Sequence, residues 1–170
     1  MKALFWFIVL CVLCRFIIMM GPAWANFSPL GAMCLFAGHH FKPKAAIVAS
    51  FLGVWLSNLM LDNILYSEWY NGFSWAINPH MFIFILITLL GVSRMNIWTG
   101  LGVGAIGFFL LSNYLVYLNS SYNSLLDCYI AGLPFLKNTI ISNYLFGSIM
   151  YLFIFKHPRH CKKEKQQRLL

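Results

Sequence analysis

The stretch IWTGLGVGAIGFFLLSNYLVYL, residues 97–118, runs without one charged side chain. A helix that crosses the hydrocarbon core of a bilayer needs roughly 20 mostly apolar residues, so this stretch reads as a membrane span. Its first half carries Gly100, Gly102, Gly104 and Gly107, and its second half carries Ser112, Asn113 and Tyr117. Gly102-x-Gly104-x-x-Gly107 matches the dinucleotide fingerprint letter by letter, but that fingerprint needs a preceding strand and a solvent-facing loop. Inside an apolar helix, Gly100-x-x-x-Gly104 is better read as a close-packing face for a neighbouring helix or a partner.

Outward from this stretch the same test finds five further spans: Ala3–Met20, Phe27–Phe41, Ala45–Leu61, Pro79–Val92 and Asn138–Phe155. Those at 27–41 and 79–92 are short, which points to tilt, extension or local irregularity. Composition agrees with the spans. Of the 170 residues, 61% are hydrophobic and 9% charged, against about 25% charged in soluble domains. A water-soluble domain and a disordered chain are both excluded. The expected fold class is all-α and integral to the membrane. Six transmembrane helices form one domain over residues 1–156, and residues 157–170 form a basic tail.

The connections set the orientation. Lys2, Lys42, Lys44, Arg94 and the tail alternate with connections that hold Asp62, Glu68 and Asp127, with Lys137 as their one base. The positive-inside rule then places both termini in the cytoplasm, which makes this a multi-pass protein of the cytoplasmic (inner) membrane. Trp24, Trp69 and Trp75 fall at the outer boundary and Trp6 and Trp98 near the inner one, as in an aromatic belt. The tail reads as a topological flank rather than a nucleic-acid patch, so no nucleic-acid partner is expected. Lys2, the apolar run and Ala23-Trp24-Ala25 also imitate a signal peptide. Arg15 interrupts that run, and the run is long for such a leader, which favours an uncleaved span.

Polar groups are costly in a bilayer, so their positions carry information. Asn58 and Asp62 lie in the outer half of the third span, on a face shared with Trp55 and Tyr66. Asn113 and Tyr117 share a face in the outer half of the fifth. Asn138 and Ser142 share one near the outer end of the sixth, with Asn143 beside them, and Asn26 and Ser28 stand at the outer mouth of the second. This convergence suggests a polar, aromatic-lined pocket open to the outside, for which the other account is interhelical hydrogen bonding. The candidate substrate-binding residues are Asn26, Asn58, Asp62, Asn113, Tyr117, Asn138 and Arg15. For Arg15 three roles stay open: snorkelling, an ion pair with Asp62, or a counter-charge for an anionic ligand.

Catalytic chemistry is poorly supplied. There are four acids in all, no paired carboxylates and no nucleophile with a nearby base. Cys11-x-x-Cys14 lies in an apolar run and has no second pair to complete a metal site. Adjacent His39 and His40 point in different directions on a helix, and His80 has no identifiable ligand partner. No metal, cofactor or enzymatic activity is expected. The long connection 119–137 reads as a short amphipathic surface helix stopped by Gly132 and Pro134, a lid on the pocket or a plain connector.

Three stretches carry a resemblance: Asn26-Phe-Ser-Pro-Leu-Gly-Ala followed by Leu35-Phe-Ala-Gly, Phe108-Phe-Leu-Leu-Ser-Asn-Tyr, and Cys128-Tyr-Ile-Ala-Gly-Leu-Pro-Phe. They resemble a family of small bacterial membrane proteins of unassigned function, which is similar to the S components of energy-coupling factor transporters. The resemblance implies a six-helix bundle, a ligand site near the outer face, no chemistry, and docking to a transmembrane coupling subunit with ATPases. Asn58 and Asn143 stand where that family favours Asp. The first span lacks the small-residue docking motif of S components, which leaves the faces of Gly31 and Gly38 or of Gly100, Gly104 and Gly107. The expected function is capture of a small-molecule solute from the outer face. The alternative is a non-catalytic structural subunit that docks through those glycines, and a lipid enzyme ranks last.

Overall fold

The computed structural model describes residues 2–13, 24–64, 73–120 and 122–155. Among them the chain is all-α: α1 (Lys2–Leu13), α2 (Leu30–His40), α3 (Pro43–Ile64), α4 (His80–Val92), α5 (Ile97–Asn119) and α6 (Leu125–Phe155). Two of these helices, α3 and α5, are long and apolar enough to cross a membrane. The described part of the first expected span ends at Leu13, so Arg15 lies outside the described residues. So do Tyr66, Glu68, Trp69 and the basic tail.

The bundle is organised around its shortest helix. From Leu30 to Gly38 every residue of α2 is buried, as a helix that is apolar on all sides must be. Contacts join α2 to α1, α3, α4, α5 and α6. The other helices follow one another around it, with α1 on α3, α3 on α4, α4 on α5 and α5 on α6. The tightest approach is between α2 and α4. A methyl group on Gly38 would meet the backbone of Thr88, Gly91 and Val92, and one on Gly91 would meet the Leu35 carbonyl and stand 3.0 Å from Gly38 Cα. Only two bare backbones permit this crossing. Gly31 makes room for Asn143, Gly100 for Leu35, and Gly104 packs on Ile87. These glycines seat neighbours within the chain itself, whereas Gly107 has nothing within 4 Å.

The α4–α5 turn closes one end of the bundle. Arg94 adopts a φ of 61° there and donates from Nη1 to the His39 carbonyl at 2.9 Å. The His39 ring spans the same junction, with Nδ1 3.0 Å from the Leu35 carbonyl and Nε2 2.9 Å from that of Met95. Asn96 caps α5 by accepting from the backbone of Trp98 and Thr99.

The region 125–155 corrects the sequence reading. It is one continuous helix that runs through Gly132 and Pro134, not a surface helix followed by a separate span. Ser124-x-x-Asp127 starts it. The Ser124 hydroxyl accepts from the Asp127 N–H at 3.1 Å and donates to the Asp127 carboxylate at 2.7 Å, a capping arrangement. Proline removes one backbone bond, at a cost of about 3 kcal/mol in a helix interior. Packing on α5 holds the helix through that defect: the Tyr129 hydroxyl donates to the Leu110 carbonyl at 2.8 Å, and Gly132 lies against the Asn113 amide.

Candidate functional site

The C-terminal half of α5 and the first turns of α6 border a cavity of about 350 Å³. Ala25 and Asn26 close it from the segment before α2, and His80 closes it from the start of α4. Phe108, Ser112, Asn113 and Val116 contribute from α5, and Tyr122, Cys128, Ala131, Gly132 and Phe135 from the α6 side. The volume falls within the usual range of small-molecule pockets, about 300–1,000 Å³. A second cavity of about 30 Å³ shares Asn26 and Phe108 with it and reaches Ser28, Gly31, Thr139 and Asn143. That is room for about one water.

Local structure explains why these side chains face the cavity. Asn26 sits at a φ of 60°, a left-handed conformation that Asn tolerates better than most residues. The turn around it is closed by the Phe27 N–H on the Trp24 carbonyl at 2.9 Å. Asn113 donates from Nδ2 to the Phe109 carbonyl one turn back at 2.8 Å, and its amide lies on the bare backbone of Gly132. The Cys128 thiol donates to the Asn113 backbone carbonyl at 3.4 Å. The Ser112 hydroxyl is 3.4 Å from the Phe109 carbonyl, and the His80 ring hydrogen-bonds to the Ser112 backbone. Each polar group is therefore held in place while keeping hydrogen-bonding capacity, because an amide oxygen and a hydroxyl each have lone pairs to spare.

The seven residues singled out in the sequence fall at several places in the structure, and Arg15 is outside the described residues. Asn26 and Asn113 line the same cavity. Asn138 is half-buried beside it and donates to the Ala25 carbonyl at 2.9 Å, so it supports the segment that carries Asn26. Tyr117 is half-buried and lines neither cavity. Asn58 is buried on α3. Asp62, also on α3, accepts from the Ser74 hydroxyl at 3.3 Å, so it belongs to the junction of α3 with the segment 73–78. His80, Ser112 and Cys128 were missed as cavity residues. Ser112 shares its depth with Asn113, and His80 opens the neighbouring helix at the same end. That common level was the available signal. Asn143, fully buried, donates to the Leu101 carbonyl at 3.3 Å and joins α5 to α6 beneath the cavity. Among the described residues, no group of three His, Cys, Asp or Glu side chains converges to hold a metal.

Residues 1–163 match the model of the family of unknown function DUF6580. The chain belongs to that family. No curated protein matches the chain. No solved structure matches it either.

Proposed function

We propose that this DUF6580 member is an integral protein of the cytoplasmic membrane that captures a small solute from the outer face and does no chemistry on it. The observation that carries the reading is the 350 Å³ cavity, where uncharged hydrogen-bonding groups (Asn26, Ser112, Asn113) meet aromatic walls (Phe108, Tyr122, Phe135). Pre-formed concave sites of this size and mixed lining are how small molecules are held.

Several features support the membrane setting. Phe82, Leu86, Leu89, Val103, Ile106, Leu110, Ile141 and Leu145 are all exposed on α4, α5 and α6, far more apolar surface than soluble monomers leave uncovered. The alternation of basic and acidic connections supports six spans with both termini in the cytoplasm. The short α2, the second of these spans, then lies wholly among protein from Leu30 to Gly38. In this reading the chain acts like an S component, and delivery of the solute would need a coupling subunit and ATPases supplied by other chains. The alternative, a structural subunit docking through its glycines, retains only Gly107 as an uncovered position among those singled out.

The test is depletion of a defined medium. Cells producing the wild type should remove one small molecule faster than cells producing Asn113→Ala at the same level. Equal depletion at equal expression would remove the cavity from the account.

A further inference from the structure

The segment 73–78 leads into α4 as an irregular strap whose residues alternate in exposure. Ser74 and Asn78 are half-buried and Ala76 is buried, whereas Phe73, Trp75 and Ile77 are 63%, 68% and 74% exposed. Ala76 takes a left-handed φ of 53° in the middle of the strap, and the alternation aims three large apolar side chains away from the bundle. Phe73 and Trp75 meet edge to face, with ring centroids 5.4 Å apart.

The inward side is closed by hydrogen bonds to α3. Asn63 donates to the Ser74 carbonyl at 2.8 Å and accepts from the Ser74 N–H at 2.9 Å, as a paired strand would. Trp55 donates to the Trp75 carbonyl at 3.0 Å, the Ser74 hydroxyl accepts from the Ala76 N–H at 3.1 Å, and the same hydroxyl donates to Asp62. The backbone of a strap in water needs no such partners. Backbone that enters an apolar region must have them, because an unsatisfied N–H or C=O there costs several kcal/mol.

We infer that the strap is an interfacial anchor, with Phe73, Trp75 and Ile77 seated at the headgroup level of the outer leaflet. The inference rests on the membrane-embedded reading above. Three observations select lipid as the occupant. The strap is fastened to the last turns of α3, a helix of 22 residues apolar enough to cross a membrane, so it sits where that helix leaves the hydrocarbon. Its exposed side chains are two aromatic rings and one aliphatic chain, and aromatic rings, Trp above all, favour that depth. Its backbone is paired at Ser74, at the Trp75 carbonyl and at the Ala76 N–H. Asp62, a ligand candidate in the sequence, then belongs with Asn63 to the fastening of the anchor and not to the solute cavity.

The test is fluorescence quenching of the full chain in bilayer nanodiscs, with the Trp75 signal taken as the difference between the wild type and Trp75→Phe. The expected result is loss of most of that signal to lipids brominated near the glycerol end of their acyl chains. Lipids brominated near the chain ends should quench it less, and aqueous acrylamide little. Phe73→Trp in the Trp75→Phe background should give the same profile. Leu86→Trp, on an exposed face of α4, serves as the control for the membrane reading. If bromolipids quench the indole added by Leu86→Trp but acrylamide alone quenches Trp75, the anchor is refuted and the membrane reading stands. Should bromolipids quench neither, both readings fail. If neither quencher reaches Trp75, protein covers the strap and the lipid assignment is overturned.

Discussion

Asn113 is where the sequence and the cavity meet most directly. Its amide spends one N–H on its own helix and lies with its oxygen nearest Gly132, at the wall of the cavity. Asn113→Leu should leave the fold in place, because the lost bond is local to the helix and worth about 1 kcal/mol, yet it should abolish solute capture. Circular dichroism and a solute-binding assay on the same sample check both halves. Two glycines give an opposite pair of expectations. Gly38→Ala drives a methyl group into the α4 backbone and should lower stability by about 1–3 kcal/mol, the usual cost of overpacking. Gly107→Ala meets open space and should be neutral or stabilising by up to about 1 kcal/mol, the helix-propensity difference between the two residues. Thermal unfolding in one detergent compares them.

At the scale of elements, α6 shows what sequence pattern reads well and what it misses. Apolar runs set α3, α4 and α5 to within a few residues, because length and the absence of charge suffice there. Gly132 and Pro134 read as stops for α6 because both are poor helix residues taken alone. They are tolerated because Gly132 is needed against Asn113, and Tyr129 ties the preceding turn to Leu110. No periodicity argument contains those cross-helix contacts. The Ser124-x-x-Asp127 cap, which the sequence reading did not use, marks the start of the helix. The site was legible in the same partial way. Asp62 meets the strap rather than the cavity, and a single sequence does not say which segment lies opposite a helix face. The interrupted backbone of α6 also has a dynamic consequence. With no N–H at Pro134, the Ile130 carbonyl lacks its helical partner, so amides 125–133 should exchange with deuterium faster than those of the buried α2. Pro134→Ala should slow that exchange. Exchange measured by mass spectrometry in detergent reads both effects, and equal rates in the variant and the wild type would contradict them.

For the whole molecule, a fully buried central helix combines with an outer surface rich in exposed Leu, Ile, Val and Phe. In a bilayer that surface is matched to its solvent, while polar groups such as Ser50, Ser57, Thr88 and Asn143 are buried between the helices. In water the same surface would drive aggregation. The protein should therefore fractionate with membranes, resist extraction by alkaline carbonate and need detergent to remain monodisperse. Release by carbonate would contradict the membrane setting without touching the cavity itself.

The central claim is that the α5–α6 cavity holds a small solute. Native mass spectrometry of the protein, gently extracted from its own membrane, tests it most directly, with Val116→Trp as the partner sample because that side chain fills the cavity from the exposed edge of α5. The account predicts a one-to-one small-molecule adduct on the wild type that is missing from Val116→Trp. A bare wild-type protein, or an adduct that survives the filled cavity, would contradict it.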